Sequence, residues 1–288
     1  MEKTRRAFAA MLLPAMAMVA ACVTPEVVDP PMHSINGTSC TRTRAINAKE
    51  VAGSQMADQT LSLTFDDGPS EVTAELSKYL AEQGIKATFF INGAYVNGRE
   101  DVLEQTIADG HLLANHTHTH PALTTLDTHD ILKEVAETDA ILSKYVPKDK
   151  LYFRPPYGDW NELVMKTLSE SEMNKYHGPV GWDIGDQLTD STAADWDCWD
   201  EQNGTRTVEE CGDLYIKEIE AKKRGVVLLH DGPPGGNGQK TLEMVRYIVP
   251  RLKAAGYGFA RIDEIELRPL GAPRSSVASA PVDDPCAD

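Results

Sequence analysis

The chain lacks an excess of basic charge, a thiolate metal motif and an apolar run long enough to span a membrane. Its 288 residues carry 28 lysines and arginines against 44 aspartates and glutamates, a net charge of −16. A nucleic-acid-binding protein needs a basic face to neutralise phosphates, so this balance argues against that class. It also disfavours adhesion to an anionic membrane surface, and it suits an exported protein with a neutral or cationic substrate.

Cysteine is scarce, and none of the five cysteines stands in a Cys-x-x-Cys pair, which argues against a thiolate metal site. Beyond Cys22, an even number remains, which in an exported protein suggests disulfides. Cys198 and Cys211 bracket a polar loop, and we expect them to pair. Cys40 and Cys286 then pair by default and tie the two ends of the domain together.

The first residues predict an export signal. Residues 1–21 begin with Lys3, Arg5 and Arg6, continue with an apolar run and end in small residues. Val19-Ala-Ala-Cys22 resembles the lipobox of bacterial lipoproteins, in which the cysteine is lipidated after cleavage. An ordinary cleavage site beside a stray cysteine is the alternative. We expect a lipoprotein-type signal peptide and a protein anchored by lipid in the bacterial cell envelope, on the periplasmic or outer-surface side.

Short apolar runs alternate with helical patterns along the rest of the chain, which predicts an α/β fold with parallel strands. The predicted strands are Leu61–Phe65, Ala87–Ile91, Leu112–His116, Leu151–Arg154, Pro179–Trp182, Val226–His230 and Gly258–Arg261. The predicted helices are Glu71–Gln83, Arg99–Asp109, Thr128–Tyr145, Leu163–Leu168, Val208–Lys223 and Gln239–Ala255. Seven strands suggest a barrel-like domain, and an open doubly wound sheet is the competing architecture.

Composition divides the chain into four parts, of which the signal segment 1–21 is the first. Residues 22–56 are expected to form a tether and N-terminal extension, and residues 57–267 the catalytic domain. Residues 187–207 break the βα rhythm and form an Asp- and Trp-rich inserted loop. Residues 268–288 are rich in Pro, Ala and Ser and are expected to be a loose tail.

Polar side chains able to do chemistry stand at the carboxyl ends of six of the predicted strands. These residues are Asp66, Asp67, Asn92, His116, Arg154, Trp182, Asp183, His230 and Asp231. In parallel α/β folds the carboxyl ends of the strands form the active face, so we expect these side chains to lie together.

Two histidines and one carboxylate predict a metal site. His116 and His120 stand four residues apart, so one helical turn would put them on one side. With Asp67 they form a three-ligand set typical of catalytic zinc. His118 falls on the other side and is left out, and His111 is expected to pack structurally. A histidine-rich surface turn is the alternative.

Residues at three further strand ends could have either a catalytic role or a purely structural one. Arg154, fixed by the two prolines that follow, could orient a catalytic carboxylate, or it could be a surface arginine. Trp182 suits a sugar or acetyl contact, and equally a buried core position. His230 ends a buried strand and is either a satisfied core histidine or a proton-transfer group.

Four segments form an ordered set of motifs: Thr64-Phe-Asp-Asp-Gly68, His116-Thr-His-Thr-His120, Arg154-Pro-Pro-Tyr-Gly158 and Leu228-Leu-His230. Together they resemble the first, second, third and fifth motifs of the polysaccharide deacetylase (NodB-homology) family, the fourth carbohydrate esterase family. The resemblance runs from about Leu61 to Ile262. It implies a distorted, incomplete (β/α)7-type barrel, a divalent metal and hydrolytic deacetylation.

The resemblance also implies residue roles. Asp66 would be the base, His230 the acid, and Asp67, His116 and His120 the metal ligands. Zinc suits these ligands best, and cobalt, nickel or manganese could occupy them. The expected substrate contacts are Tyr157, whose backbone N–H would stabilise the oxyanion, Trp182 and Leu228.

The fourth motif departs from the family pattern of an aspartate followed by tryptophan. Trp182-Asp-Ile-Gly-Asp186 is followed by Gln187, so either Asp183 or Asp186 could support His230 or Arg154, and Asp183 is favoured by its place at a strand end. In the inserted loop, Asp190, Asp195 and Asp197 could bind calcium, and a solvated acidic loop is the favoured interpretation.

Three functional hypotheses remain at this point. The first is a deacetylase of N-acetylglucosamine-containing glycans such as peptidoglycan or chitin-type oligomers. The second is an O-acetyl esterase on xylan-like polymers. The third is a non-catalytic glycan-binding protein on the same fold. Because an amide leaves poorly as an anion, the full acid and base set favours N-acetyl groups.

Overall fold

The computed structural model describes Ile46, Gly53 and residues 56–200, 206–233 and 236–265. The expected signal peptide, the lipidation site Cys22, the Cys40–Cys286 pair and the 268–288 tail therefore lie outside the described residues. None of the helices within the described ranges combines the length and apolar character that crossing a bilayer requires.

A parallel sheet organises the fold. Its strands are β1 (Thr60–Gly68), β2 (Thr88–Ile91), β3 (Leu112–Asn115), β4 (Gly225–His230) and β5 (Gly258–Phe259). The order is β3-β2-β1-β4, and β5 pairs with the first two residues of β1. The helices are α1 (Thr73–Glu82), α2 (Glu100–Ala108), α3 (Thr128–Leu142), α4 (Glu162–Ser169), α5 (Asp195–Cys198), α6 (Val208–Lys222) and α7 (Gly238–Ala254).

Isolated bridges continue the ring of strands beyond the sheet. Phe153 bridges to the end of β3, Tyr152 bridges to His177, and Ile184 bridges to Val227 of β4, all in parallel register. The segments between β3 and β4 thus curl the sheet toward closure without completing it. This confirms the predicted barrel-like α/β fold with an incomplete strand ring.

The central strand β1 is buried on both faces. Leu61, Leu63 and Phe65 are fully buried on one face, and Phe65 stacks on Phe89 of β2 with ring centroids 5.0 Å apart. Burying such a side chain contributes about 1.5–3 kcal/mol. The alternate residues Ser62 and Thr64 are also buried. Polar residues on this second face therefore do not meet solvent; they line the barrel interior, where the site is built.

Two of the strand predictions are wrong, because no regular strand forms in those segments. Leu151–Arg154 forms only isolated bridges. Pro179–Trp182 has a single bridge residue, Val180, and the bridge to β4 is made by Ile184 beyond it. The buried guanidinium of Arg154 donates to the carbonyls of Val180 (3.1 Å) and Gly181 (3.0 Å). A side chain thus satisfies carbonyls that a neighbouring strand would otherwise satisfy.

The helices follow the predicted pattern to within a few residues, because their ends carry local signals. Asp127, Asn161 and Asn237 cap α3, α4 and α7 with side-chain oxygens, and Thr207 forms a capping box with Glu210 at the start of α6. The short helix α5 was not predicted. It lies in the insertion, and the disulfide Cys198–Cys211 joins it to α6.

Candidate active site

The carboxyl ends of the parallel strands converge, as the pattern of polar strand ends predicted. The register pairs Asp66 of β1 with His230 of β4, and the backbone N–H of His116 donates to the Ile91 carbonyl at the end of β2 (3.0 Å). Arg154 N–H donates to the Asn115 carbonyl at the end of β3 (3.1 Å). Strand pairing alone therefore brings chemistry from four parts of the chain to one edge.

Asp67, His116 and His120 form a buried cluster that could hold a metal ion. Their ligand atoms all lie within 4.8 Å of one another. Asp67 Oδ1 is 3.1 Å from His120 Nε2 and 3.5 Å from His116 Nε2. The His116–His120 segment is not the helical turn expected from the spacing. Thr117 and His120 both have left-handed backbone, at φ of 67° and 64°, and this loop brings the rings to 5.0 Å between centroids.

The donor atoms and their charge states fit a divalent cation. His116 Nδ1 is 2.8 Å from the Arg154 carbonyl and donates to it, so Nε2 keeps its lone pair and faces the carboxylates. Burial, opposed in part by Asp66, lowers the pKa of His116 to about 4, so the ring is neutral. Burial would raise the pKa of Asp67, but the hydrogen bond and charge of His120 lower it to about 2. The ionised Asp67 carboxylate and the neutral His116 imidazole are the states in which these two groups can ligate a metal.

Asp66 is held by the buried guanidinium of Arg154. Arg154 Nη1 donates to Asp66 Oδ1 at 2.6 Å and to Thr64 Oγ1 at 2.9 Å. The guanidinium carbon also lies 4.1 Å above the Phe90 ring. Asp66 Oδ2 lies on the side of the ligand cluster, 3.6 Å from His116 Nε2. One carboxylate oxygen is thus anchored, and the other faces the candidate metal site.

His230 is paired with a buried aspartate from the insertion. Its Nδ1 lies 2.8 Å from Asp195 Oδ1, and its backbone N–H donates to Asp195 Oδ2 at 2.8 Å. Thr241 of α7 also donates to Asp195 Oδ2 (2.9 Å). Burial would lower the pKa of His230, but the charge and hydrogen bond of Asp195, with smaller contributions from Asp67 and Asp66, raise it to about 9. The imidazole is therefore protonated at neutral pH.

Asp195, and not the expected Asp183, supports His230. Asp183 does not support His230; its carboxylate accepts the Val226 N–H at 2.8 Å instead. Asp186, the other candidate, accepts the Trp182 Nε1–H at 2.9 Å. Asp195 is followed by Trp196, so the aspartate–tryptophan pair of the fourth motif was present in the sequence, inside residues 187–207. The insertion therefore supplies a site residue, and the solvated acidic loop expected there is wrong for Asp195.

Of the three expected substrate contacts, only Tyr157 is accessible. Its side chain is 36% exposed, and its ring lies edge-on to His120 with centroids 4.7 Å apart. Trp182 is buried and lies 5.6 Å from the Arg154 guanidinium, so it takes the core position that was the alternative. Leu228 is buried within β4, which pairs with β1 along one edge and is bridged by Ile184 at Val227. Trp182 and Leu228 are therefore corrected to structural residues.

The remaining histidines near the site are structural. His111 accepts the Ala87 N–H with Nδ1 at 3.0 Å and contacts the Ser77 carbonyl with Nε2 at 2.9 Å, as expected of a packing residue. His118 Nε2 lies 3.9 Å from a Glu137 carboxylate oxygen, outside the ligand cluster.

Residues 53–176 match a family model described as polysaccharide deacetylase. The chain is 34% identical to the chitooligosaccharide deacetylase of Rhizobium leguminosarum bv. trifolii, a match that covers 72% of this chain and 92% of that enzyme. It is 28% identical to the peptidoglycan-N-acetylglucosamine deacetylase of Bacillus cereus, over 70% of this chain and 66% of that enzyme.

The fold is shared with solved structures. Bacillus subtilis PdaA, a family 4 carbohydrate esterase, superposes with a TM-score of 0.60 at 25% identity, over 76% of this chain and 85% of that one. The Xyl-CE4 domain of a multidomain xylanase from a termite hindgut metagenome superposes with a TM-score of 0.54 at 25% identity, over 72% and 89%.

Proposed function

This chain belongs to the polysaccharide deacetylase family, and we propose that it is a metal-dependent hydrolase that removes N-acetyl groups from N-acetylglucosamine-containing glycans. The observation that carries the proposal is the pairing of two proton-handling groups across one metal-ligand set. Asp66 and His230 are register neighbours on β1 and β4, and each has its own buried ionic partner. Hydrolysis of an amide needs a base at the attacking water and an acid at the leaving nitrogen.

Asp66 acts as the base. Arg154 fixes Oδ1, so Oδ2 is the oxygen that accepts a proton from water as the water attacks the acetyl carbonyl carbon. The Arg154 ion pair is fully buried, which keeps the carboxylate in one orientation and limits rotation that would misalign the base.

His230 acts as the acid. With a pKa of about 9, sustained by Asp195, it carries its proton at neutral pH and donates it to the glycan nitrogen as the carbon–nitrogen bond breaks. Acetate and a free amine are the products. An ester has less need of this proton because an alkoxide leaves more readily, so the His230–Asp195 pair favours N-acetyl over O-acetyl substrates.

Asp67, His116 and His120 would hold the metal, and zinc suits this carboxylate and imidazole set best, with cobalt, nickel or manganese as the other candidates. When bound there, a divalent cation would act as a Lewis acid toward the acetyl carbonyl and favour ionisation of water. The backbone N–H of Tyr157 is the proposed second oxyanion donor, supported by the contact of its ring with His120.

The glycan is the finer part of the proposal. Two relatives are a chitooligosaccharide deacetylase and a peptidoglycan-N-acetylglucosamine deacetylase, so chitin-type oligomers and peptidoglycan are the first substrates to test. The likeness to a Xyl-CE4 domain keeps acetylated xylan as the second candidate. The negative charge of the chain suits a neutral glycan, and it does not favour nucleic acid.

We also propose the compartment and the domain limits that the sequence predicts. Residues 1–21 would be a lipoprotein-type signal peptide, Cys22 the lipidated residue and 22–56 a tether. Residues 57–267 would then act on envelope or external glycans, with the membrane engaged only through the lipid. Metabolic labelling with a fatty acid of the chain and of Cys22→Ser tests this; label retained by the variant would rule out lipidation at Cys22.

The substrate test compares acetate release from N-acetylglucosamine oligomers, peptidoglycan and acetylated xylan at matched acetyl concentration. The proposal predicts faster release from the N-acetyl substrates, and Asp195→Asn should slow amide hydrolysis more than ester hydrolysis. Faster release from xylan would favour the esterase. No acetate from any of the three, with glycan binding retained, would favour a non-catalytic binding protein.

A further inference from the structure

Helix α6 holds the backbone around Asp195 although α6 provides no residue to the ligand cluster. The Asp195 backbone N–H donates to the Tyr215 hydroxyl at 3.0 Å, and that hydroxyl donates in turn to the Leu228 carbonyl at 3.0 Å. Asp195 and Tyr215 are both fully buried. One hydroxyl of α6 thus joins the segment that carries Asp195 to the strand that carries His230.

Two further attachments flank this one. On the amino side of Asp195, the Ala193 N–H donates to the Glu218 carboxylate at 3.0 Å. On its carboxyl side, Cys198 at the end of α5 is bonded to Cys211 of α6. The segment from Ala193 to Cys198 is therefore fixed to α6 at both ends and in the middle, by a carboxylate, a disulfide and a hydroxyl.

This fixation matters because Asp195 must reach two atoms of His230 at once. The carboxylate lies 2.8 Å from both the backbone N and Nδ1 of His230, and a shift of the segment would lengthen these contacts. The next largest charge effects on the His230 pKa come from Asp67 and Asp66 at the end of β1, and both are smaller than that of Asp195. If Asp195 moves away, burial becomes dominant and disfavours the imidazolium.

We propose that α6 is a positioning element for the general acid, in which Tyr215 and the Cys198–Cys211 disulfide hold Asp195 against His230. The inference rests on the proposed function for its catalytic consequence, because a proton donor at His230 is useful only if an amide is cleaved. Tyr215 and the disulfide act through Asp195, so their loss slows the chemical step and leaves glycan binding intact.

The test replaces Tyr215 by Phe in the zinc-loaded full chain. The ring keeps its packing, while the Asp195 N–H and the Leu228 carbonyl lose their partner. Tyr257→Phe is the matched control, because the Tyr257 hydroxyl is also buried and donates to an α6 carbonyl, that of Ile219, at 3.3 Å. Both variants remove one buried tyrosine hydroxyl, and only Tyr215→Phe removes a partner of Asp195.

Two readouts separate positioning from stability. The kcat on an N-acetylglucosamine oligomer should fall about tenfold in Tyr215→Phe, part of the 10²–10⁴-fold that a general acid supplies, with KM changed less than about twofold. NMR of histidine-labelled protein should show the pKa of His230 falling by about one unit. Tyr257→Phe should change neither. The double variant Cys198→Ala with Cys211→Ala should move both readouts in the same direction as Tyr215→Phe.

The inference is wrong if folded Tyr215→Phe and the folded cysteine variant keep the wild-type kcat and His230 pKa. It is also wrong if Tyr257→Phe lowers both as much as Tyr215→Phe does, since the effect would then be general destabilisation. Failure of the proposed function looks different: the wild type releases no acetate, while the NMR arm still reports whether Tyr215 controls the His230–Asp195 pair. If the cysteine variant does not fold, Tyr215→Phe and its control decide the matter.

Discussion

Asp195→Asn should lower the pH above which His230 loses its proton and stops acting as the acid. The substitution keeps an oxygen near His230 Nδ1 and removes the negative charge 2.8 Å away. In the wild type the pKa of His230 is raised from 6.5 to about 9, against the effect of burial. Without the charge of Asp195, the effect of burial is no longer outweighed, and we expect the pKa to return to its ordinary value of about 6.5.

The magnitude follows from the protonated fraction of His230. At pH 8, a pKa of about 9 leaves roughly nine-tenths of the imidazole protonated, whereas the ordinary value of 6.5 leaves roughly 3%. The loss in kcat is therefore about 30-fold at pH 8 and about fourfold at pH 7, and it nearly vanishes at pH 6. A group with a raised pKa is functional below that pKa, so the defect must grow as pH rises.

The assay is kcat for acetate release from an N-acetylglucosamine oligomer between pH 6 and pH 9, on wild type and Asp195→Asn loaded with the same metal. Asp183→Asn is the control, since Asp183 contacts the Val226 N–H instead of His230. The reasoning is refuted if Asp195→Asn loses the same factor at every pH. It is also refuted if Asp183→Asn shifts the alkaline limb as far.

Three further substitutions test the other groups of the site. Asp66→Asn should bind metal as the wild type does and lose about 10²-fold or more in kcat, because the base is gone and the ligands remain; full activity with bound metal would remove Asp66 as the base. His116→Ala should weaken both metal affinity, measured by competition with a chelator, and turnover; wild-type affinity would exclude His116 as a ligand. Arg154→Met should lower the free energy of unfolding by about 3–5 kcal/mol in urea titrations, because it strands the buried Asp66 charge; a loss below about 1 kcal/mol would contradict a buried ion pair.

The helices and the central strands could be predicted because their signals are local. Helices α4 and α6 are preceded by Asn161 and Thr207, whose side chains cap the first turn, and their apolar residues repeat at helical spacing. The three candidate metal ligands could also be predicted, since the ends of parallel strands meet at one edge of the sheet. The backbone geometry that brings these three side chains together could not be predicted from the sequence. The His116–His120 segment reaches Asp67 through left-handed backbone at Thr117 and His120, and spacing alone had indicated a helical turn.

The partner of His230 escaped prediction because it depends on contacts distant in sequence. Asp183 stands at a predicted strand end, yet no regular strand forms there. The Arg154 guanidinium instead donates to the Val180 and Gly181 carbonyls. Asp195 lies in an acidic, polar insertion, a composition that normally indicates a solvated loop. Contacts with distant segments hold it in the interior instead, among them the Tyr215 hydroxyl, Thr241 of α7 and the nearby disulfide to α6. The Asp195-Trp196 dipeptide was the one local signal that could have identified it.

The most direct test of the account is metal-restored acetate release. The full chain, stripped by a chelator, is assayed on N-acetylglucosamine oligomers before and after addition of zinc, with Asp66→Asn carried through the same cycle. The account predicts no release from stripped protein, recovery in the wild type on adding zinc, and zinc binding without recovery in Asp66→Asn. Undiminished release from stripped protein, or recovery in Asp66→Asn equal to that of the wild type, would contradict it.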